Sequence, residues 1–189
     1  MYDVAVIGAG PAGASAAIFL AKAGQKTLVI DNGRSVTRRA LIKNHYGVME
    51  ITGPAMVDLG KEHAKMLGAD VISAQVTNVT KSGDHFDLAT DQDAYQASHV
   101  ILATGLYTDL IEQIGVRTKP GTEPRIKTVV DATLEGKTSI EGIWAAGTVA
   151  GVSMHTIITA GDGAKVAVNL LSEIKGERYV DHDVFKSEQ

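Results

Sequence analysis

The chain has 189 residues, a formal net charge of −4 and no cysteine. That length suits one domain with its own core. The negative balance argues against nucleic acid as a partner, and the missing thiols exclude a disulfide framework, a thiolate metal centre and a cysteine nucleophile.

With 44% hydrophobic and 21% charged residues, residues 1–176 read as a single globular α/β domain and the polar stretch 177–189 as a loosely held tail. Tyr2 to Ile7 is apolar without alternation, the pattern of a strand buried on both faces, and carries neither the basic start nor the cleavage site of a secretory signal. The longest apolar run, Ala12 to Ala21, is too short to span a bilayer. The expectation is therefore a cytoplasmic protein with no membrane partner.

Gly8-Ala9-Gly10-Pro11-Ala12-Gly13 follows the first strand directly and opens an Ala-rich helix that stops at Gly24. A second strand, Thr27 to Ile30, ends at Asp31. This is a β-turn-α-turn-β unit. The spacing of Gly8, Gly10 and Gly13 is a dinucleotide-binding fingerprint: the first glycine allows the tight turn, the second lets backbone approach a pyrophosphate, and the third lets helix and strand pack closely. The helix N-terminus supplies N–H donors and partial positive charge to the phosphates. Asp31 stands where a carboxylate accepts ribose hydroxyls, which disfavours a 2′-phosphate there.

Residues 32–48 are irregular and basic. Thr52 caps a helix with Pro54 in its first turn, and Met56, Leu59, His63, Met66 and Leu67 recur at helical spacing. Strand-like runs follow at 71–79, 85–89, 95–97 and 99–103, with turns between them. This antiparallel excursion returns to a buried strand ending in Ala103-Thr104-Gly105. Residues 106–127 read as a long connection. Strands at 129–132 and 143–146 follow, then a helix from about Thr156 to Ile174 ending at Gly176.

FAD and NAD share such a βαβ unit. The antiparallel excursion, the second backbone crossing at 103–105 and the late strand ending in Ala145-Ala146-Gly147 favour FAD, since a helix after that strand can aim its positive end at a flavin ring. An NAD-binding domain without flavin is the competing reading.

The fingerprint, the Ala103-Thr104-Gly105 strand end, Thr138-Ser139 ahead of Gly142-Ile143-Trp144-Ala145-Ala146-Gly147, and the closing Ile158-Thr159-Ala160-Gly161-Asp162-Gly163-Ala164 together resemble the thioredoxin reductase family of flavoproteins, over about Met1 to Lys175. The resemblance implies a Rossmann-type FAD-binding domain with a parallel sheet, usually dimeric. It implies a cofactor site drawn from Gly8, Gly10, Pro11, Ala12, Gly13, Asp31, Asn32, Gly33, Asn44, Val76, Ala103, Thr104, Gly105, Gly147, Thr148, His155, Thr156 and Ile157. His45 and Tyr46 would border the flavin ring. His155 is the one candidate for proton transfer, and no metal site is expected.

Three departures stand out. Family members carry an NADPH domain after the Ala-Thr-Gly strand, with a redox Cys-x-x-Cys inside it; here residues 106–130 are too few for such a domain. Without cysteine the dithiol relay is chemically impossible. The family's Gly-Asp pair reads Gly147-Thr148.

The resulting expectation is an FAD-dependent oxidoreductase taking electrons from NAD(P)H or a partner protein, with a non-catalytic flavin module or a subunit of a larger redox complex as the alternative. Arg34, Arg38, Arg39 and Lys43 suggest a solvated basic face, a screen for the pyrophosphate, or a dock for an acidic electron carrier. Leu106, Leu110, Ile111 and Ile114 suggest a bared apolar surface for a homodimer. Asp181-His182-Asp183 are three adjacent tail residues that rarely converge on a metal.

Overall fold

The computed structural model describes residues 1–124, 126–181 and 183–185. Strand β1 (Tyr2–Ile7) leads into helix α1 (Pro11–Lys22), and β2 (Thr27–Asp31) lies parallel to β1 with Val4 opposite Thr27 and Ile7 opposite Ile30. A 3-10 turn (Val36–Arg39) and a two-residue hairpin, β3 (Leu41–Ile42) with β4 (Ile51–Thr52), precede α2 (Gly53–Met66). Then come β5 (Asp70–Ser73), β6 (Val76–Ser82), β7 (His85–Thr90) and β8 (Ala94–Leu102). After these lie α3 (Asp109–Gln113), the antiparallel pair β9 (Thr118–Pro120) and β10 (Thr128–Val130), β11 (Ile143–Ala145) and the long α4 (Thr156–Lys175).

The main sheet runs β5-β2-β1-β8-β7-β6, and β11 also pairs with β8. β5, β2, β1, β8 and β11 are parallel; β6, β7 and β8 form an antiparallel meander. β8 serves both. Its first half pairs with β7 from Ala94 to Ala97, and its second half pairs with β11 from Val100 to Leu102. The mostly parallel α/β sheet with a small antiparallel excursion is the architecture expected from the strand pattern.

Both faces of the sheet are covered, as parallel strands require. On one face Val4, Val6, Val29 and Ile101 pack against α1 and α4 through Ala16, Leu20, Val166 and Leu170. On the other, Ala5, Ile7, Leu28, Ile30 and Leu102 pack against the meander and α3 through Phe86, Leu88 and Ile111.

Helices α1 and α4 approach very closely, because a Cβ at Gly163 would lie 2.0 Å from the carbonyl oxygen of Ala12. Side-chain-free contact at Gly163 brings α4 down onto the first turn of α1, and so onto the glycine-rich turn.

Helix α2 begins as expected, with Thr52 Oγ1 accepting from Ala55 N–H at 3.4 Å and Pro54 in the first turn. Its buried face differs from the expected one. Gly53, Val57 and Ala64 are buried, while Leu59 and Met66 are 64% and 76% exposed. The inward stripe is small because α2 lies against α1 at close range: a Cβ at Gly60 would touch Ala14 Cβ at 3.0 Å. The runs read as two strands at 95–97 and 99–103 are one nine-residue strand, and the connection 106–127 contains α3 and β9.

The described part of the C-terminal stretch is docked. Tyr179 packs against the helical face of the core and donates its N–H to Ser172 Oγ at 3.0 Å, and Lys22 on α1 pairs with Asp181 and Asp183 at 3.0 and 2.6 Å. Among the described residues no helix is long and apolar enough to cross a membrane.

Candidate functional site

The C-terminal edge of the parallel strands carries one groove, where β1 hands over to α1. Gly8 takes φ +102 and donates its N–H to Ile30 O at 2.8 Å, which ties the turn to β2. A Cβ on Gly8 would meet Ala103 O at 2.5 Å, and one on Gly13 would meet Gly8 O at 1.9 Å. No residue with a side chain fits either position. Gly10 precedes α1 without a side-chain cap, and the first turn holds no acidic residue. The leading N–H groups of α1 therefore lack a side-chain partner at the groove, the arrangement that suits an anion.

Asp31, at the end of β2, is 5% exposed. Its Oδ1 accepts from Ala9 N–H at 3.4 Å, and its Oδ2 faces Lys61 Nζ of α2 at 3.3 Å. Lys61 in turn lies 3.8 Å from Asp58, which pairs with Arg38 at 2.6 Å. The Arg38 guanidinium holds the Asp58 carboxyl below its ordinary range. A chain of alternating charge thus runs from the 3-10 turn, through one face of α2, to the carboxylate at the groove. Beside it Asn32 Nδ2 donates to Gln75 Oε1 at 2.7 Å, joining the loop after β2 to the turn between β5 and β6.

The groove has an empty volume of about 1070 Å³, open solvent at its mouth included. Of the residues singled out in the sequence, Gly8, Gly10, Pro11, Ala12, Asp31, Asn32, Val76, Ala103, Thr104, Gly105 and Thr148 line it. Thr148, in the place of the family acid, is 7% exposed.

Gly13 and Gly147 lie beneath the lining as packing contacts. Gly147 donates its N–H to Asp162 Oδ2 at 2.7 Å, and Lys165 Nζ sits 2.5 Å from the other oxygen of that buried carboxylate. Gly33 is an open turn with φ +73 and nothing around it.

Asn44, His155, Thr156 and Ile157 are not part of the groove wall. His45 Nδ1 lies 3.1 Å from Thr156 Oγ1, which ties the 43–50 loop to the start of α4. His155 precedes α4 with its side chain exposed and Nδ1 2.8 Å from Ser153 Oγ. Met154 and Thr159 reach the groove from the same segment.

Several lining residues escaped the sequence reading. Ser35 stands against Gly10, its Oγ 3.1 Å from where a Cβ would be. Gln75 and Tyr107 also line the groove, as do Leu106 and Leu110, which the sequence suggested as dimer surface. No local pattern marks these as site residues, because loop contacts across a sheet edge leave no periodicity. Lys61 was equally unmarked, being one charge among many on a helix, and Asp162 stood in the closing motif with no role of its own.

Two of the four cations in the basic loop are paired with carboxylates, Arg38 with Asp58 and Lys43 with Glu50 at 2.8 Å, while Arg34 stacks on Tyr107 at 4.7 Å and keeps its charge. The apolar surface expected at 106–114 is absorbed. Helix α3 turns Ile111 fully inward, and Leu110 and Ile114 pack on the core, leaving Leu106 at 37% exposure. Within Asp181-His182-Asp183, His182 lies outside the described residues, and both aspartates are held by Lys22. Among the described residues no group of three His, Cys, Asp or Glu could hold a metal ion.

The sequence profile of the pyridine nucleotide-disulphide oxidoreductases matches residues 2–116 and 46–164. The thioredoxin reductase of Peptoclostridium acidaminophilum is 35% identical over 109 residues, which cover 56% of this chain and 35% of that protein. The thioredoxin reductase of Bacillus subtilis is 32% identical over 108 residues, covering 56% and 34%. The aligned stretch thus spans about a third of the length of these curated relatives.

Among solved structures, a thioredoxin reductase from Gloeobacter violaceus superposes with a TM-score of 0.84 at 15% identity, covering 97% of this chain and 99% of that one. A ferredoxin-flavin thioredoxin reductase from Clostridium acetobutylicum gives 0.74 at 21% identity, covering 93% and 98%. At these identities the likeness is one of fold.

Proposed function

Because the chain belongs to the pyridine nucleotide-disulphide oxidoreductase family, as a minimal thioredoxin reductase-like form, we propose that it is an FAD-binding oxidoreductase that works without a dithiol relay of its own. The observation that carries this is the convergence at one groove of three features: an uncapped α1 N-terminus behind Gly8 and Gly10, the Asp31 carboxylate, and the second backbone crossing at Ala103-Thr104-Gly105. The α1 N-terminus binds the diphosphate, and Asp31 accepts the adenosine ribose hydroxyls. Thr148 offers the ribityl region a hydroxyl where the family has a charge. Bound FAD supplies the electron-transfer chemistry, and the polypeptide supplies binding, orientation and electrostatics. In this reading Asn44, His45 and His155 lie toward the flavin end, with His155 the candidate proton donor.

Electrons come from NAD(P)H or from a redox protein. The name of the Clostridium neighbour, a ferredoxin-flavin thioredoxin reductase, supports testing a ferredoxin-type donor. Any disulfide reduced belongs to the acceptor, since this chain has no cysteine.

Purified protein titrated with FAD tests the cofactor. Stoichiometric binding with a flavin absorption band is the expected result, and absence of binding at saturating FAD overturns the proposal. Anaerobic bleaching of that band by NADH, NADPH or a reduced ferredoxin identifies the donor. The exchange of the family acid for Thr148 favours a second reading, a non-catalytic flavin module or subunit; bound flavin that none of these donors reduces would select it. A cytoplasmic location and, on the resemblance, a homodimer complete the proposal, and light scattering at the mass of one chain refutes the dimer.

A further inference from the structure

The lining of the groove contains a single cationic side chain among the described residues, Arg34, on the loop after β2. Its guanidinium lies over the ring of Tyr107 at 4.7 Å. Tyr107 lines the opposite wall, three residues beyond Thr104, and that turn is pinned by Thr104 Oγ1 donating to Tyr107 O at 2.6 Å. Arg34 N–H donates to Asn32 Oδ1 at 3.1 Å, so the arginine backbone is anchored as well.

Whereas Arg38 and Lys43 are engaged by carboxylates, the Arg34 side chain makes no hydrogen bond or ion pair among the described residues. A guanidinium stacked by its face keeps its donor edges available, and those donors match phosphate oxygens.

We infer that Arg34 is a diphosphate-binding residue of this groove and that Tyr107 is its positioning residue, so that together they select ligands carrying a diphosphate over flavins that lack one. This rests on the dinucleotide reading of the groove. Ser35, next in the chain, stands against Gly10, which places this loop beside the backbone turn that would take the same phosphates. The α1 N-terminus alone supplies only about half an elementary charge; a diphosphate carries more negative charge than that, and Arg34 is the side chain placed to offset it. The stack fixes a long flexible side chain across the groove in advance, which lowers the ordering cost when the ligand arrives.

The test is titration of the purified apo chain with FAD, followed by flavin fluorescence, for the wild type, Arg34→Met, Tyr107→Leu and the double variant, at low and moderate NaCl. Arg34 is exposed and its side chain makes no hydrogen bond among the described residues, so folding of the variants, checked by circular dichroism, should be unaffected. Loss of one charge-assisted phosphate contact predicts a rise in Kd of about ten- to a hundredfold for Arg34→Met, with a shallower dependence on salt. Tyr107→Leu should raise Kd about fivefold in the wild-type background and by less than about twofold once Arg34 is gone, because it acts through the arginine.

FMN, which has one phosphate, should bind the wild type and Arg34→Met with nearly equal strength. If Arg34→Met binds FAD within about twofold of the wild type, or if Tyr107→Leu costs the same in both backgrounds, the assignment is overturned while the FAD reading stands. If the wild type itself fails to bind FAD, the underlying cofactor reading is what has failed.

Discussion

Substituting Gly163 by alanine should destabilise the protein, while the same substitution two residues earlier should stabilise it. Both glycines lie inside α4. Replacing a helical glycine with alanine gains about 0.5–1 kcal/mol from backbone entropy and helix propensity. At Gly161 a Cβ meets nothing within 4 Å, so Gly161→Ala keeps that gain, and the melting temperature should rise by about 2–4 °C for a chain of this size.

At Gly163 the added carbon would lie 2.0 Å from Ala12 O, 2.7 Å from its carbonyl carbon and 2.9 Å from its Cα. These are backbone atoms of α1, which cannot rotate away, so α1 and α4 must separate by about 1 Å. Overpacking of this kind costs about 1–3 kcal/mol, here at the upper end because the whole helix moves. After the helical gain is subtracted, a net loss of about 2 kcal/mol remains, or roughly 4–8 °C in melting temperature.

Ala12 also lines the groove, so FAD affinity should fall with stability in Gly163→Ala and be unchanged in Gly161→Ala. Thermal melts by circular dichroism and FAD titration of both variants measure this. If Gly163→Ala proves as stable as Gly161→Ala, α1 and α4 do not approach closely at Gly163.

Asp162→Ala removes the buried carboxylate that accepts from Gly147 N–H and should cost about 1.5–3 kcal/mol, measured by urea denaturation. Lys61→Met leaves Asp31 buried with only the Ala9 N–H as a close partner; a loss of about 1–3 kcal/mol is expected on the same assay, and an unchanged midpoint would remove Lys61 from the account of the site.

His99 on β8 has an Nδ1 without a hydrogen-bond partner among the described residues, and burial pushes its pKa below the ordinary 6.5. The unfolded chain therefore takes up the proton first as pH falls. Stability should be flat above about pH 6.5 and decline below it, until the folded-state pKa is passed. His99→Leu should lose that decline, and a melting temperature with the same acid dependence in both proteins would refute the assignment.

Legibility in the sequence followed the range of the contacts involved. Gly8, Gly10, Gly13 and Asp31 could be read because the tight turn, the close strand–helix approach and the acid at the end of β2 are all set within one βαβ unit. The strand end at Ala103-Thr104-Gly105 was legible because a buried strand has a composition of its own. The buried face of α2 was not. Met56, Leu59, His63, Met66 and Leu67 suggested a face by their spacing, whereas the residues the packing buries are Gly53, Val57 and Ala64, with Gly60 in contact with Ala14 of α1. The apolar cluster at 106–114 misled for a similar reason: without knowledge that α3 folds beneath the meander, Ile111 looks as exposed as Leu106.

What the amino-acid order determines by itself is the local chemistry: where the backbone can turn without a side chain, where a helix starts with open N–H groups, and that no thiol is available. Only the tertiary structure decides which loops face one another across the sheet edge. It brings Lys61 to Asp31, lays Arg34 on Tyr107 and sets Asp162 under Gly147, pairings between residues far apart in the chain or on separate loops. Such pairings depend on how several elements pack at once, and packing of that kind leaves no periodic trace in sequence.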